Sequence, residues 1–122
     1  MTPPDLAPAY HELADTYRRL HLLDHLQQIA YWDQAANMPP SGAPARAEAL
    51  AEVATLMHRL RTDPRVRTLL DRAADEPLAE LQRANLREIV RDWRSANALP
   101  EELVARSQRA TSRCEHAWRR QR

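Results

Sequence analysis

The feature that most constrains this 122-residue chain is the run Asn37-Met38-Pro39-Pro40-Ser41-Gly42, set between Tyr31-Trp32-Asp33-Gln34 and a new apolar segment at Pro44. Pro39 and Pro40 cannot continue a helix, and they steer the residues before them toward extended backbone. Ser41, Gly42 and Pro44 then favour a fresh helix start. Helix-ending, turn-making and helix-starting residues are thus crowded into about fifteen positions. Two long helices must meet at this one corner.

The spacing on either side predicts an all-α fold of about five helices in an antiparallel bundle, forming a single helical domain over residues 1–122 with its corner at 37–44. The first helix is expected to start after Asp5, which can cap free amides while Pro8 occupies the first turn, and to run to about Ala36. Leu6, Tyr10, Leu13, Tyr17 and Leu20 mark its apolar face, continued by Leu23, Leu26 and Ala30. Leu22 and Ile29 add a second stripe, which implies neighbours on two sides. A helix of about thirty residues measures about 45 Å, too long for a small bundle, so half of it is expected to overhang.

The second helix should bury Ala47, Leu50, Val53 or Ala54, Met57 and Leu60 and end near Arg61. Asp63-Pro64 opens a third through Val66, Leu69 and Leu70 to about Ala74. Asp75 with Pro77 repeats the device for a fourth carrying Leu78, Leu81, Leu86, Ile89 and Trp93. Asn97 and Pro100 precede a fifth, whose expected buried stripe is Leu103, Ser107, Ala110, Cys114 and Ala117. Small residues at that spacing let helix axes approach closely, so this helix is expected against the Trp93 or Tyr17 region. The short connections predict that helices adjacent in sequence are antiparallel neighbours.

Composition narrows function by exclusion. Phe is absent and much of the 43% apolar share is Ala, leaving Leu, with three Trp and three Tyr, to build the core. Eighteen basic residues, all Arg, balance seventeen acidic ones. A net charge of +1 lacks the broad positive field of a nucleic-acid binder. Arg119, Arg120 and Arg122 fit a solvated helix end. The sequence holds one cysteine, no basic-then-apolar leader pattern and no apolar run of bilayer-spanning length. The expected setting is cytoplasmic, without membrane partners. Cys114 is expected as a small buried residue rather than a reactive thiol.

Candidate chemistry is sparse. His21 and His25 share a helix face at the spacing of a zinc-binding helix, but Leu22 stands where a His-Glu-x-x-His site needs its general base. A metal reading would need His58 or a carboxylate to converge on that pair, and the preferred reading is two solvated histidines. His11-Glu12 also fails, because position 15 is Asp. Asp33 beside Trp32 is the one carboxylate in an unusual setting. It is expected to accept hydrogen bonds from the turn at 38–42 or to cap a neighbouring helix. Trp32 is expected to anchor the corner, and Met38 to fill the space under it. One glycine cannot form a phosphate-cradling loop. No catalytic, cofactor-binding or metal-ligating residue is assigned.

The corner, read on through Arg46-Ala47-Glu48-Ala49-Leu50, resembles the amino-terminal region of the carboxypeptidase Taq family of zinc metallocarboxypeptidases. Asp63-Pro64 ahead of Leu69-Leu70, Asn85-Leu86-Arg87-Glu88, Leu99-Pro100-Glu101-Glu102-Leu103-Val104 and Trp118 follow in the same order. The resemblance covers most of residues 20 to 122. It implies a helical peptidase that removes carboxyl-terminal residues from peptides, using one divalent metal, usually zinc, held by a His-Glu-x-x-His helix and a later Glu. Members are several times longer, keep that motif far downstream and are commonly homodimers. What is implied here is an amino-terminal fragment or shortened relative, consistent with a last segment, Ala117 to Arg122, that reads as mid-helix. Its role would be structural, as a wall or lid beside the substrate cleft. Its partners would be the rest of the peptidase and a second copy, and zinc would belong to the full-length family rather than to this chain. The alternative is a stand-alone helical interaction or dimerisation module without catalytic activity.

Overall fold

A computed structural model describes residues 5–121. Among these residues every regular element is helical: α1 (Pro8–Ala36), a short 3-10 turn (Pro40–Gly42), α2 (Ala43–Thr62), α3 (Pro64–Ala73), α4 (Glu80–Asn97) and α5 (Glu101–Arg120). Prolines mark most of the starts. Pro8, Pro44 and Pro64 lie in the first turns of α1, α2 and α3, where a missing N–H costs nothing. Asp63 caps α3 by accepting the Arg65 N–H at 2.9 Å.

The main core forms where the first half of α1 meets α3 and α4. Leu13 and Ala73 are fully buried there, with Tyr10, Val66, Leu69, Leu70, Leu78 and Ile89 around them. Leu86 and Trp93 pack on its edge, and the Arg67 guanidinium lies 5.4 Å from the Trp93 ring centroid. The second half of α1 lies instead against α2 and α5, so the long helix does not overhang. It serves as a spine shared by two packing zones. Its outer side stays bare, with Leu22, Leu26, Ile29 and Trp32 each at least half exposed. Leu6 is likewise exposed, outside the core that its spacing suggested.

Two expected helix starts move, and for one reason. Asp5 accepts the Ala7 N–H at 2.9 Å, before the helix, while the free Ala9 and Tyr10 amides donate to the two carboxylate oxygens of Glu76 at 2.8 and 2.9 Å. A side chain more than sixty positions away thus caps α1. Because Glu76 must reach that helix end, residues 74–79 form a connection, and α4 starts at Glu80 rather than near Pro77. There the Gln82 side chain accepts the Ala79 N–H at 2.9 Å. Leu81, expected in the α4 stripe, points to solvent.

The fifth helix departs furthest from expectation. It packs chiefly on α2, antiparallel to it, rather than on its chain neighbour α4 or the Trp93 region. Arg59 pairs with Glu101, and Arg109 with Glu48, at opposite ends of the contact. Its inward face is Val104, Gln108 and Ser112, while Leu103, Ser107, Ala110 and Cys114 are exposed. The helix is therefore rotated away from its small-residue stripe. Polar pairing sets that rotation, since the Tyr31 hydroxyl donates to Gln108 Oε1 at 2.7 Å and the two ion pairs fix its ends.

Replacing Glu76 with Ala leaves two helix-start amides without their acceptor and removes a negative charge from the positive end of α1. The expected outcome is a loss of about 1–2 kcal/mol in urea unfolding, in line with lost helix caps. An unchanged midpoint would show that water replaces the carboxylate fully.

Candidate functional site

The corner is held from both sides. The Asp33 carbonyl ends α1 by accepting the Asn37 and Met38 amides, both at 2.9 Å. The Gly42 N–H then donates to the Pro39 carbonyl at 2.9 Å and closes the 3-10 turn. Met38 is buried beneath this turn, in the place expected of it, and a Cβ at Gly42 would lie 3.2 Å from Met38 Cγ. The single glycine is thus required by close approach, since its backbone φ is negative.

Arg46, in the first turns of α2, ties the two helices together. Its guanidinium donates to the Ala30 carbonyl at 2.7 Å and to Asp33 Oδ2 at 2.5 Å. The Asp33 side chain therefore serves an arginine rather than the turn amides, and only its backbone oxygen takes those. Trp32 is 64% exposed and anchors nothing among the described residues. Its neighbour Tyr31 turns inward to Gln108, and burial pushes its phenol above the usual tyrosine range. Gln34, nearly fully buried, donates to Glu115 and accepts from Arg119 through its carbonyl.

A polar cleft follows between α1, α2 and α4. Arg61 pairs with Asp92 at 2.9 Å, and the Tyr17 hydroxyl donates to the Ile89 carbonyl at 3.4 Å. Burial, with Asp92 close by, holds that phenol well above the ordinary range. His21 and Asp24 line this cleft, whereas His58 is buried in the adjoining cavity. His21 and His25 are exposed. Among the described residues, no three His, Cys, Asp or Glu side chains converge as a metal site. The donor set present here does not fit the divalent metal implied by the sequence resemblance.

His11 has a different use. Its Nδ1 lies 2.8 Å from Asp5 Oδ2, while Glu12 pairs with Arg65. The Asp5 hydrogen bond raises the His11 pKa, and the same bond lowers that of Asp5. The sign follows for both partners. The contribution of His11 is complete below its unfolded value of 6.5 and fades as pH rises through a higher folded value. That of Asp5 holds above 3.8 and fades as pH falls through a lower one. The pair therefore favours folding most in mildly acidic solution.

The described residues form an all-helical arrangement whose first two long helices meet at a proline corner. The chain belongs to the carboxypeptidase Taq (M32) metallopeptidase family, whose sequence profile matches residues 12–122. It is 34% identical to thermostable carboxypeptidase 1 of Thermus thermophilus over 122 residues, covering 97% of this chain and 23% of that protein. The protein of the same name from Pyrococcus furiosus is also 34% identical, over 84% of this chain and 21% of its own length. Metallocarboxypeptidase 1 of Trypanosoma cruzi superposes with a TM-score of 0.78 at 39% identity, covering 84% of this chain and 22% of that one. The chain thus spans less than a quarter of the length of each of these relatives. Among the described residues, no helix is long and apolar enough to cross a membrane.

Two results are expected from these contacts. Met38→Ala should cost about 2 kcal/mol or more in urea unfolding, as emptied core sites do, while Trp32→Ala should shift stability by about 0.5 kcal/mol or less. Equal losses would restore Trp32 as an anchor. In an NMR titration, His11 should show a midpoint above 6.5 that returns toward 6.5 in Asp5→Asn. A midpoint insensitive to that substitution would dissolve the pair.

Proposed function

We propose that this segment is the amino-terminal helical part of a metallocarboxypeptidase, where it forms a wall or lid beside the substrate cleft and carries no catalytic group itself. The parent activity is removal of carboxyl-terminal residues from peptides with a divalent metal, zinc in the usual case, held by residues outside this segment. Family membership over residues 12–122 supports the parent chemistry. The observation that carries the structural role is the outer face of α1. Leu22, Leu26, Ile29 and Trp32 recur every three or four residues on one side of a helix whose other sides meet α2 and, through Tyr31 and Gln34, α5. A helix apolar around its circumference is normally buried on all sides. The remainder of a family enzyme is the surface that would cover it. Where that remainder is absent, a second copy of the chain takes its place, giving a homo-oligomer in a cytoplasmic enzyme.

Peptide hydrolysis tests the assignment. With zinc or cobalt supplied, the 122-residue chain alone should release no carboxyl-terminal amino acid. Mixed with the complementary part of a family enzyme, it should restore chelator-sensitive release. Turnover by the chain alone, abolished by a chelator, would overturn the non-catalytic role. Light scattering in the same samples should show a metal-indifferent dimer or larger species. A monomer at every concentration would favour a self-contained interaction module.

A further inference from the structure

A groove of about 730 Å³ lies between α4 and the connection that follows α3 and plays no part in the reading above. Its floor is apolar, formed by Leu78, Leu86 and Val90. Arg83, Arg87, Arg91 and Arg94 rise along one edge. Spacings of four, four and three place all four on one helix face, over a length of about 16 Å.

The charge on this face is not answered within the described residues. Glu76 is the one carboxylate lining the groove, and its two oxygens are already committed to the Ala9 and Tyr10 amides. Arg83 donates sideways to the Leu78 carbonyl, and Arg91 meets Glu88 at 3.2 Å on an exposed edge. Arg87 and Arg94 have no ion pair among the described residues. Elsewhere Glu12, Asp33, Glu48, Asp92 and Glu101 are each held by an arginine of another element. Arg87 and Arg94 thus stand over apolar ground without an ion pair among the described residues.

We propose that this groove binds an acidic, amphipathic peptide segment of a separate polypeptide, with carboxylates on the arginine edge and aliphatic side chains on the Leu78, Leu86 and Val90 floor. Guanidinium forks match carboxylates in a bidentate manner, and a row of them one helical turn apart suits acidic side chains at a similar repeat. The apolar floor distinguishes such a peptide from a free anion, which would gain nothing from it. The overall charge of +1 gives no long-range field for a nucleic acid, so recognition rests on local complementarity.

Fluorescence anisotropy with a fluorescein-labelled peptide of mixed Glu and Leu tests this on the whole chain. Saturable binding is expected, weakened about tenfold or more by the double variant R87E/R94E and also weakened when the Leu residues of the peptide become Ser. The control R106E/R113E alters net charge equally but lies on exposed positions of α5, so it should leave binding unchanged. Both double variants replace exposed side chains, and superimposable thermal melts would show that the fold is kept. Equal loss in the two variants, indifference to the Leu-to-Ser change, tighter binding of a single-stranded oligonucleotide, or no binding at all would each overturn the proposal.

Discussion

The hydrogen bonds of Arg46 to the Ala30 carbonyl and to Asp33 are the interaction on which the corner half of the structure depends. The Asn37 and Met38 amides close the end of α1 on the Asp33 carbonyl, but they do not set the direction in which the chain leaves the corner. Arg46 does so by tying the first turn of α2 to the last turns of α1. The same guanidinium also places a positive charge at the negative end of α1, where the helix dipole favours it. With the α1–α2 hairpin fixed in this way, the two helices present the surface on which α5 is laid. Glu76 performs the mirror-image service at the other end of α1, a negative side chain on the positive helix start.

Between those two ends α1 changes neighbours, and this explains why its apolar residues do not form one stripe. Leu13 needs a face toward α3 and α4, Tyr31 and Gln34 need one toward α5, and Ala30 and Asp33 look to α2. Each demand falls at a different angle around the helix. Leu22, Leu26, Ile29 and Trp32 answer none of them. In each of the relatives named above, more than three quarters of the sequence lies outside the part that this chain covers. An isolated apolar side chain on a surface needs no explanation, but four in register along one helix do.

Local signals were legible where a residue acts on its own chain neighbourhood. The proline corner, the Asp63-Pro64 start of α3 and Met38 beneath the turn all follow from near-neighbour chemistry, and each stands where the sequence places it. Legibility failed where a side chain acts across the fold. Nothing within a few residues of Glu76 announces that it caps α1, and nothing near Arg46 announces Asp33, thirteen positions earlier. A lone cation in the first turn of α2 was the available signal for the second, because basic residues are unfavourable at a helix start unless something draws them there. Trp32 misled for the opposite reason. Size suggests burial, yet its partner is not among the described residues. Cys114 and the small residues of α5 misled in the same way, since periodicity identifies a stripe but not which surface covers it.

The α5 seam shows how much depends on polar detail when the apolar stripe faces outward. Gln108 is held through its oxygen by Tyr31, but its buried Nε2 has no protein partner among the described residues, nor has the buried Ser112 hydroxyl. Each such group carries a cost of about 1–3 kcal/mol. The Arg59–Glu101 and Arg109–Glu48 pairs recover little of this, because exposed ion pairs contribute only about 0–1 kcal/mol. The core around Leu13 and Ala73 carries no comparable burden, as its members are almost wholly apolar. Stability is therefore uneven along the spine, strong at the α3 and α4 end and weaker where α5 attaches. The bare apolar face of α1 lies in that weaker half. A surface that covered it would also fix the α1–α2 hairpin and so steady the seat of α5, which makes the weak half of this segment the part whose order depends most on what it meets.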